Sequence, residues 1–68
     1  MMKKKIKLEG MSCSHCVAHV EEALGALENT TDIQVELGTQ SVFLETGATD
    51  ELIRQAIDDA GYTVLSID

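Results

Sequence analysis

A β-hairpin is encoded by the stretch IQVELGTQSVFL, residues 33–44. Apolar and polar side chains alternate on either side of a polar turn at 38–40, which is the pattern of two strands that each bury one face. The apolar residues on the buried face are Ile33, Val35, Leu37, Val42 and Leu44. Phe43 has the opposite parity, so we expect its ring on the open face of the sheet.

A strand and a helix are predicted on the N-terminal side of this hairpin. Residues 4–9 alternate between charged and apolar side chains, which predicts a first strand. From Ser14 to Leu27 apolar residues recur at helical spacing, at Val17, Val20, Leu24 and Leu27. A serine near the start of this helix is the expected N-cap, and residues 29–32 are expected to form a polar connection to the hairpin.

A second helix and a last strand are predicted on the C-terminal side. Thr49 is the expected N-cap, and Asp50 and Glu51 suit the positive end of a helix dipole. The apolar face of this helix is predicted to comprise Leu52, Ile53, Ala56, Ile57 and Ala60. Gly61 stands where a helix end requires a left-handed residue, and residues 62–67 are predicted as the last strand.

The predicted element order is βαββαβ, an α+β fold. Two right-handed crossovers produce a ferredoxin-like sandwich, a four-stranded antiparallel sheet with both helices on one face. No linker or low-complexity segment divides the chain, so residues 1–68 are predicted to form a single domain. A domain of this length supports one modest core, and we therefore expect a surface site rather than an enclosed substrate pocket.

Charge is distributed unevenly along the chain. Twelve acidic and five basic residues give a net charge of −7. The basic residues are Lys3, Lys4, Lys5, Lys7 and Arg54. The acidic body argues against nucleic-acid binding, because phosphate neutralisation requires Lys and Arg. The acidity either keeps the protein soluble or steers it towards a basic docking surface.

The sequence predicts a cytoplasmic protein without direct membrane insertion. No apolar stretch follows the lysines as it would in a signal peptide, and no segment approaches the length of a membrane span. Thiols stay reduced in the cytoplasm, so two neighbouring cysteines are expected to act as metal ligands or redox groups.

The chemistry is concentrated in the stretch MSCSHC, residues 11–16, between the first strand and the first helix. Two intervening residues allow the sulfurs of Cys13 and Cys16 to converge on one ion, and the positive end of the helix favours their thiolates. Thiolates are soft ligands that select Cu(I) and, less exclusively, zinc. Zinc requires four ligands in a structural site, whereas a pair of sulfurs is sufficient for Cu(I).

A C-x-x-C pair also occurs in redox proteins. Thioredoxin-type domains usually place Trp and Pro beside the cysteines, and this chain contains neither residue. A zinc finger needs a second ligand pair, yet no Cys or His follows His19. Metal binding is therefore favoured over thiol redox chemistry or an inert buried pair. No other catalytic set is present, so an enzyme is not expected.

The stretch GMSCSHC, residues 10–16, resembles the G-M-x-C-x-x-C motif of the heavy-metal-associated domain family, and Gly61-Tyr62 resembles its G-Y. The resemblance is strongest to small bacterial copper chaperones. It implies one Cu(I) per monomer on Cys13 and Cys16, and transfer through intermediates in which donor and acceptor cysteines share the ion. The implied partner is the metal-binding domain of a copper-transporting P-type ATPase or a copper-responsive repressor. A monomer is expected, with a copper-bridged dimer as the alternative.

Residues around the cysteines carry further expectations. The resemblance implies that Met11 packs beneath the loop and that Tyr62 lies near it, although a half-buried strand aromatic is an equal interpretation of Tyr62. His15 is a secondary candidate ligand. His19 is either a solvated helix residue or part of a second, zinc-type site. Zinc, cadmium or mercury are the alternative ions, but Ser12 replaces the acidic residue that zinc-binding members commonly place before the first cysteine.

Overall fold

The structure, a computed structural model, describes residues 2–68. The elements are β1 (Met2–Glu9), α1 (Ser14–Gly25), β2 (Thr30–Glu36), β3 (Ser41–Thr46), α2 (Asp50–Asp59) and β4 (Thr63–Ile67). The strands form one antiparallel sheet in the order β2-β3-β1-β4. The predicted ferredoxin-like βαββαβ sandwich is confirmed.

One hydrophobic core lies between the sheet and the helices. It is built from the inward side chains of the two central strands, from the inner faces of both helices and from one residue of the loop between β1 and α1. Its buried members are Ile6, Leu8, Met11, Val20, Leu24, Val42, Leu44, Ile53 and Ile57. Ile6 lies directly opposite Val42 in the β1–β3 register, so the strand parity predicted from the sequence is confirmed.

The open face of the sheet carries Phe43, as its parity predicted. Its side chain is 38% exposed. The ammonium of Lys5, directly opposite on β1, lies 5.7 Å from the centroid of the ring. This cation–π contact partly covers the aromatic surface.

Neither α1 nor α2, the helices of residues 2–68, combines the length and apolar character that a membrane crossing requires.

The start of β2 differs from the prediction. The strand begins at Thr30, within the segment expected to be a polar connection. Its pairing with β3 is interrupted by a register shift between Thr31 and Gln34, and Asp32 adopts a φ of 54° there. Pairing with β3 therefore recruits polar residues whose local pattern does not resemble a strand.

Two helix predictions are also wrong. The N-cap of α1 is Cys13, in an extended conformation and without a side-chain cap hydrogen bond, rather than a serine. Leu52 is 52% exposed, so it does not belong to the buried face of α2. In α2 only Ile53 and Ile57 are fully buried.

Both ends of α2 follow the predicted capping chemistry. The hydroxyl of Thr49 accepts a hydrogen bond from the Leu52 N–H at 3.2 Å. At the other end Gly61 has a φ of 95°, its N–H donates to the Asp58 carbonyl at 3.0 Å, and the Tyr62 N–H donates to the Ile57 carbonyl at 3.1 Å. These two bonds form a Schellman motif, which turns the chain into β4 and fixes the position of Tyr62.

Replacing Gly61 by valine is expected to lower the free energy of unfolding by about 1–3 kcal/mol, because a β-branched residue is strained at positive φ. A Cβ at Gly61 meets no atom within 4 Å, so the penalty comes from the backbone alone. Denaturant unfolding measures it. The matched control is Gly38→Val, where a Cβ also meets open space but φ is not in the left-handed region. Equal losses in the two variants would contradict the explanation.

Candidate metal site

The two cysteines lie where the loop after β1 enters α1. The carbonyl of Cys13 accepts hydrogen bonds from the N–H groups of Cys16 (3.0 Å) and Val17 (3.3 Å), which close the first helical turn. This turn places both side chains on one side of the helix start, with their sulfurs 3.8 Å apart. Both thiols are free, since a disulfide requires a separation of about 2.05 Å.

The two sulfurs have different surroundings. The side chain of Cys13 is exposed, whereas that of Cys16 is half-buried and packs against the core. One sulfur is thus accessible to an approaching molecule, and the other is held by the fold.

The environment of Cys16 favours the thiolate. Its pKa is lowered from 9.0 to about 6, chiefly by the main-chain N–H of Ser12 and then by the hydroxyl of Tyr62; the Cys13 main chain and thiol contribute less, and partial burial opposes the shift. The same contact raises the pKa of Tyr62 to about 12, because its proton is held beside the thiolate of Cys16. At neutral pH the site therefore contains a charged sulfur beside a protonated phenol.

The loop itself is fixed by Gly10 and Met11. Gly10 has a φ of 109°, and a Cβ at this position would lie 3.5 Å from Cδ1 of Tyr62. Met11 is 4% exposed and belongs to the core, so its predicted packing role is confirmed. Tyr62, half-buried between α2 and β4, lies near the loop as the resemblance implied.

Two groups at the site were not predicted from the sequence. One is the main-chain N–H of Ser12, which makes the largest contribution to lowering the pKa of Cys16. The other is the side-chain amide of Gln40, which hydrogen-bonds to both main-chain polar groups of Met11. Gln40 is in the hairpin turn, 29 residues from Met11, and no local sequence pattern connects them.

The two histidines, His15 and His19, were the other candidate ligands. Within residues 2–68 no group of three or more His, Cys, Asp or Glu side chains is arranged to hold a metal ion. His15 is exposed beside the pair, and its role as a secondary ligand stays a prediction. His19 lies in a groove between the helices whose lining includes Glu22 and Asp59.

The thiolate of Cys16 is expected to titrate near pH 6 in the reduced, metal-free protein. Between pH 6 and 9 the unfolded chain retains a proton that the folded protein has lost, so the free energy of unfolding rises with pH across this window. That contribution disappears as the pH falls through about 6. Ultraviolet absorbance of the thiolate measures the titration, and the step should vanish in Cys16→Ser. If the step that Cys16→Ser removes lay near pH 9 instead, the assignment would be contradicted.

Known proteins resemble this chain in both sequence and fold. The family model described as "Heavy-metal-associated domain" matches residues 5–63. The "COP-associated protein" of Helicobacter felis is 46% identical over 63 residues, 90% of this chain and 96% of that protein. The "Probable copper-exporting P-type ATPase" of Archaeoglobus fulgidus is 34% identical over 67 residues, 94% of this chain but 8% of the ATPase. The solved structure "CopZ metallochaperone" has a TM-score of 0.89 and 31% identity, covering 94% of this chain and 100% of that one. The chain therefore belongs to the heavy-metal-associated domain family.

Proposed function

We propose that this protein is a copper carrier that holds one Cu(I) ion between the thiolates of Cys13 and Cys16. The observation that carries the proposal is the surface pair of sulfurs, 3.8 Å apart, at the start of α1. This separation is less than twice a metal–sulfur bond of about 2.3 Å, so one ion can contact both sulfurs.

The ligand set favours Cu(I) over a divalent ion. Two sulfurs are sufficient for Cu(I), whereas zinc takes four ligands in structural sites. Ser12 supplies no carboxylate in front of the first cysteine. Two thiolates and one Cu(I) leave a net charge of −1, which the positive end of α1 stabilises. The names of the relatives, a copper-exporting ATPase and a metallochaperone, agree with this choice.

Release to a partner proceeds by ligand exchange in this proposal. A thiolate of the acceptor binds the ion from the exposed side of Cys13 as a third sulfur, and one sulfur of the chain then leaves. A second acceptor thiolate displaces the remaining sulfur of the chain in the same way, which completes the transfer. Copper stays monovalent throughout, and the displaced thiolate remains as it is or takes a proton from solvent. The reaction is a transfer of cargo and not enzymatic turnover.

The acceptor proposed is the metal-binding domain of a copper-transporting P-type ATPase. The chain resembles a segment covering 8% of the Archaeoglobus fulgidus ATPase, which suits exchange between two domains of similar fold. A copper-responsive repressor is the second acceptor class. Cytoplasmic location and a monomeric carrier complete the proposal, with a copper-bridged dimer as its alternative state.

Competition for Cu(I) against a chromophoric Cu(I) chelator tests the function. Reduced protein, titrated without oxygen at neutral pH, should withdraw one equivalent of Cu(I) per chain. A parallel titration with Zn(II) should show weaker binding. Failure to take up Cu(I), or tighter binding of Zn(II), would overturn the proposal.

A further inference from the structure

Gln40, the last residue of the turn between β2 and β3, uses its main-chain and side-chain polar groups together. Its N–H donates to the Leu37 carbonyl at 3.2 Å, and its carbonyl accepts from the Leu8 N–H at 2.8 Å. Its side-chain carbonyl accepts from the Met11 N–H at 3.0 Å, while its amide NH₂ donates to the carbonyls of Met11 and Leu37. Gln40 thus joins the turn, the end of β1 and the loop before Cys13.

The backbone of Gln40 makes the choice of residue informative. Its φ is 54°, a left-handed conformation that Gly or Asn adopts more readily than Gln. Either of those residues would therefore adopt the backbone conformation of this turn with less strain than Gln. A side chain long enough to reach both polar groups of Met11 explains why glutamine is suited to the position.

Gln40 holds the main chain of Met11, whereas the core holds its side chain. The side chain of Met11 is anchored in the core, and Gln40 binds the N–H and the carbonyl of the same residue. Met11 is followed by Ser12, whose Oγ lies 3.9 Å from Sγ of Cys16, and then by Cys13. Holding the peptide groups of Met11 therefore limits the directions that the next two residues can take.

We propose that Gln40 is a positioning residue for the metal loop, residues 10–13. By clamping the main chain of Met11 it keeps the two sulfurs close together before an ion arrives. Its effect on copper rests on the proposed function, whereas its effect on the order of the loop does not. Without the clamp the loop samples other conformations, and binding must restore its order at a cost in affinity.

Two substitutions separate the clamp from the turn. Gln40→Gly removes the side chain, and Gln40→Asn retains an amide but shortens its reach by one methylene group; both residues suit a positive φ, so the hairpin should persist. The matched control is Asn29→Gly, because Asn29 also has a left-handed backbone (φ 56°) but precedes β2, beyond the far end of α1. Gln40→Glu retains an acceptor for the Met11 N–H and loses the donor.

Amide hydrogen exchange by NMR and Cu(I) competition provide the two readouts. In Gln40→Gly and Gln40→Asn the Met11 amide of the metal-free protein should exchange at least about tenfold faster, and Cu(I) affinity should fall about tenfold, the loss expected for one or two hydrogen bonds. Loading with Cu(I) should restore protection. For Gln40→Glu, the exchange rate and the Cu(I) affinity should lie between those of these two variants and those of the native protein. Asn29→Gly should match the native protein in both readouts.

Three results would overturn the proposal: unchanged exchange at Met11, faster exchange with native Cu(I) affinity, or an equal loss of affinity in Asn29→Gly. If the native protein took up no Cu(I), the proposed function would fail by itself. The exchange rates of the Met11 and Cys13 amides in the metal-free variants would then decide the role of Gln40 alone, with native-like rates refuting it.

Discussion

Replacing Cys13 and Cys16 together by serine is expected to abolish stoichiometric Cu(I) uptake while the protein stays folded. A serine hydroxyl is close in size to a thiol, but it is a hard, protonated group at neutral pH and a poor ligand for a soft ion. Cys13 is exposed and Cys16 is half-buried, so neither substitution opens a large cavity in the core. Chelator competition measures the uptake, and circular dichroism verifies the fold.

Ser14→Ala is the control for this experiment, because it alters the same turn and retains both sulfurs. It should bind one equivalent of Cu(I). Each single cysteine variant should bind Cu(I) more weakly than the native protein, because only one of the two thiolate ligands remains. Undiminished uptake by the double variant would remove the cysteines from the site.

Truncating Leu24 to alanine is expected to destabilise the fold by about 2–5 kcal/mol, the cost of deleting a buried leucine side chain. Leu24 is fully buried on α1 and packs in the core. A domain of 68 residues has a free energy of unfolding of roughly 3–10 kcal/mol, so this loss is a large part of the total. Denaturant unfolding, monitored by circular dichroism, measures it.

The control is the same substitution at Leu52, whose side chain is 52% exposed on α2. Leu52→Ala should cost less than about 1 kcal/mol, because little apolar surface and no enclosed volume are lost. Similar losses at Leu24 and Leu52 would show that the core does not lie where the structure places it.

The sequence predicted the elements where burial follows a simple period. Alternation along β3 and helical spacing in α2 were sufficient, because one face of each element meets a single core. The start of β2 was missed since the pairing of Thr30 and Thr31 with β3 depends on a distant strand. Leu52 was predicted on the buried face because helical periodicity does not reveal how much of the apolar face of α2 the rest of the protein covers.

The site was predictable only in part. Spacing alone indicated that Cys13 and Cys16 lie together, and the family resemblance placed Tyr62 near them. The contribution of Ser12 comes from its main-chain N–H, and that of Gln40 from a contact with Met11, 29 residues away in the sequence. Local sequence patterns encode neither. Every residue except proline has a main-chain N–H, so the identity of a residue does not reveal that its N–H acts as a donor at the site.

X-ray absorption at the copper edge of the Cu(I)-loaded protein tests most directly whether the sulfur pair itself holds the ion. The spectrum reports the number and type of atoms bound to copper. We expect two sulfur neighbours in the native protein and the loss of this signal when Cys13 and Cys16 are replaced by serine. Copper bound mainly by nitrogen or oxygen, or a spectrum that the double substitution leaves unchanged, would contradict the account.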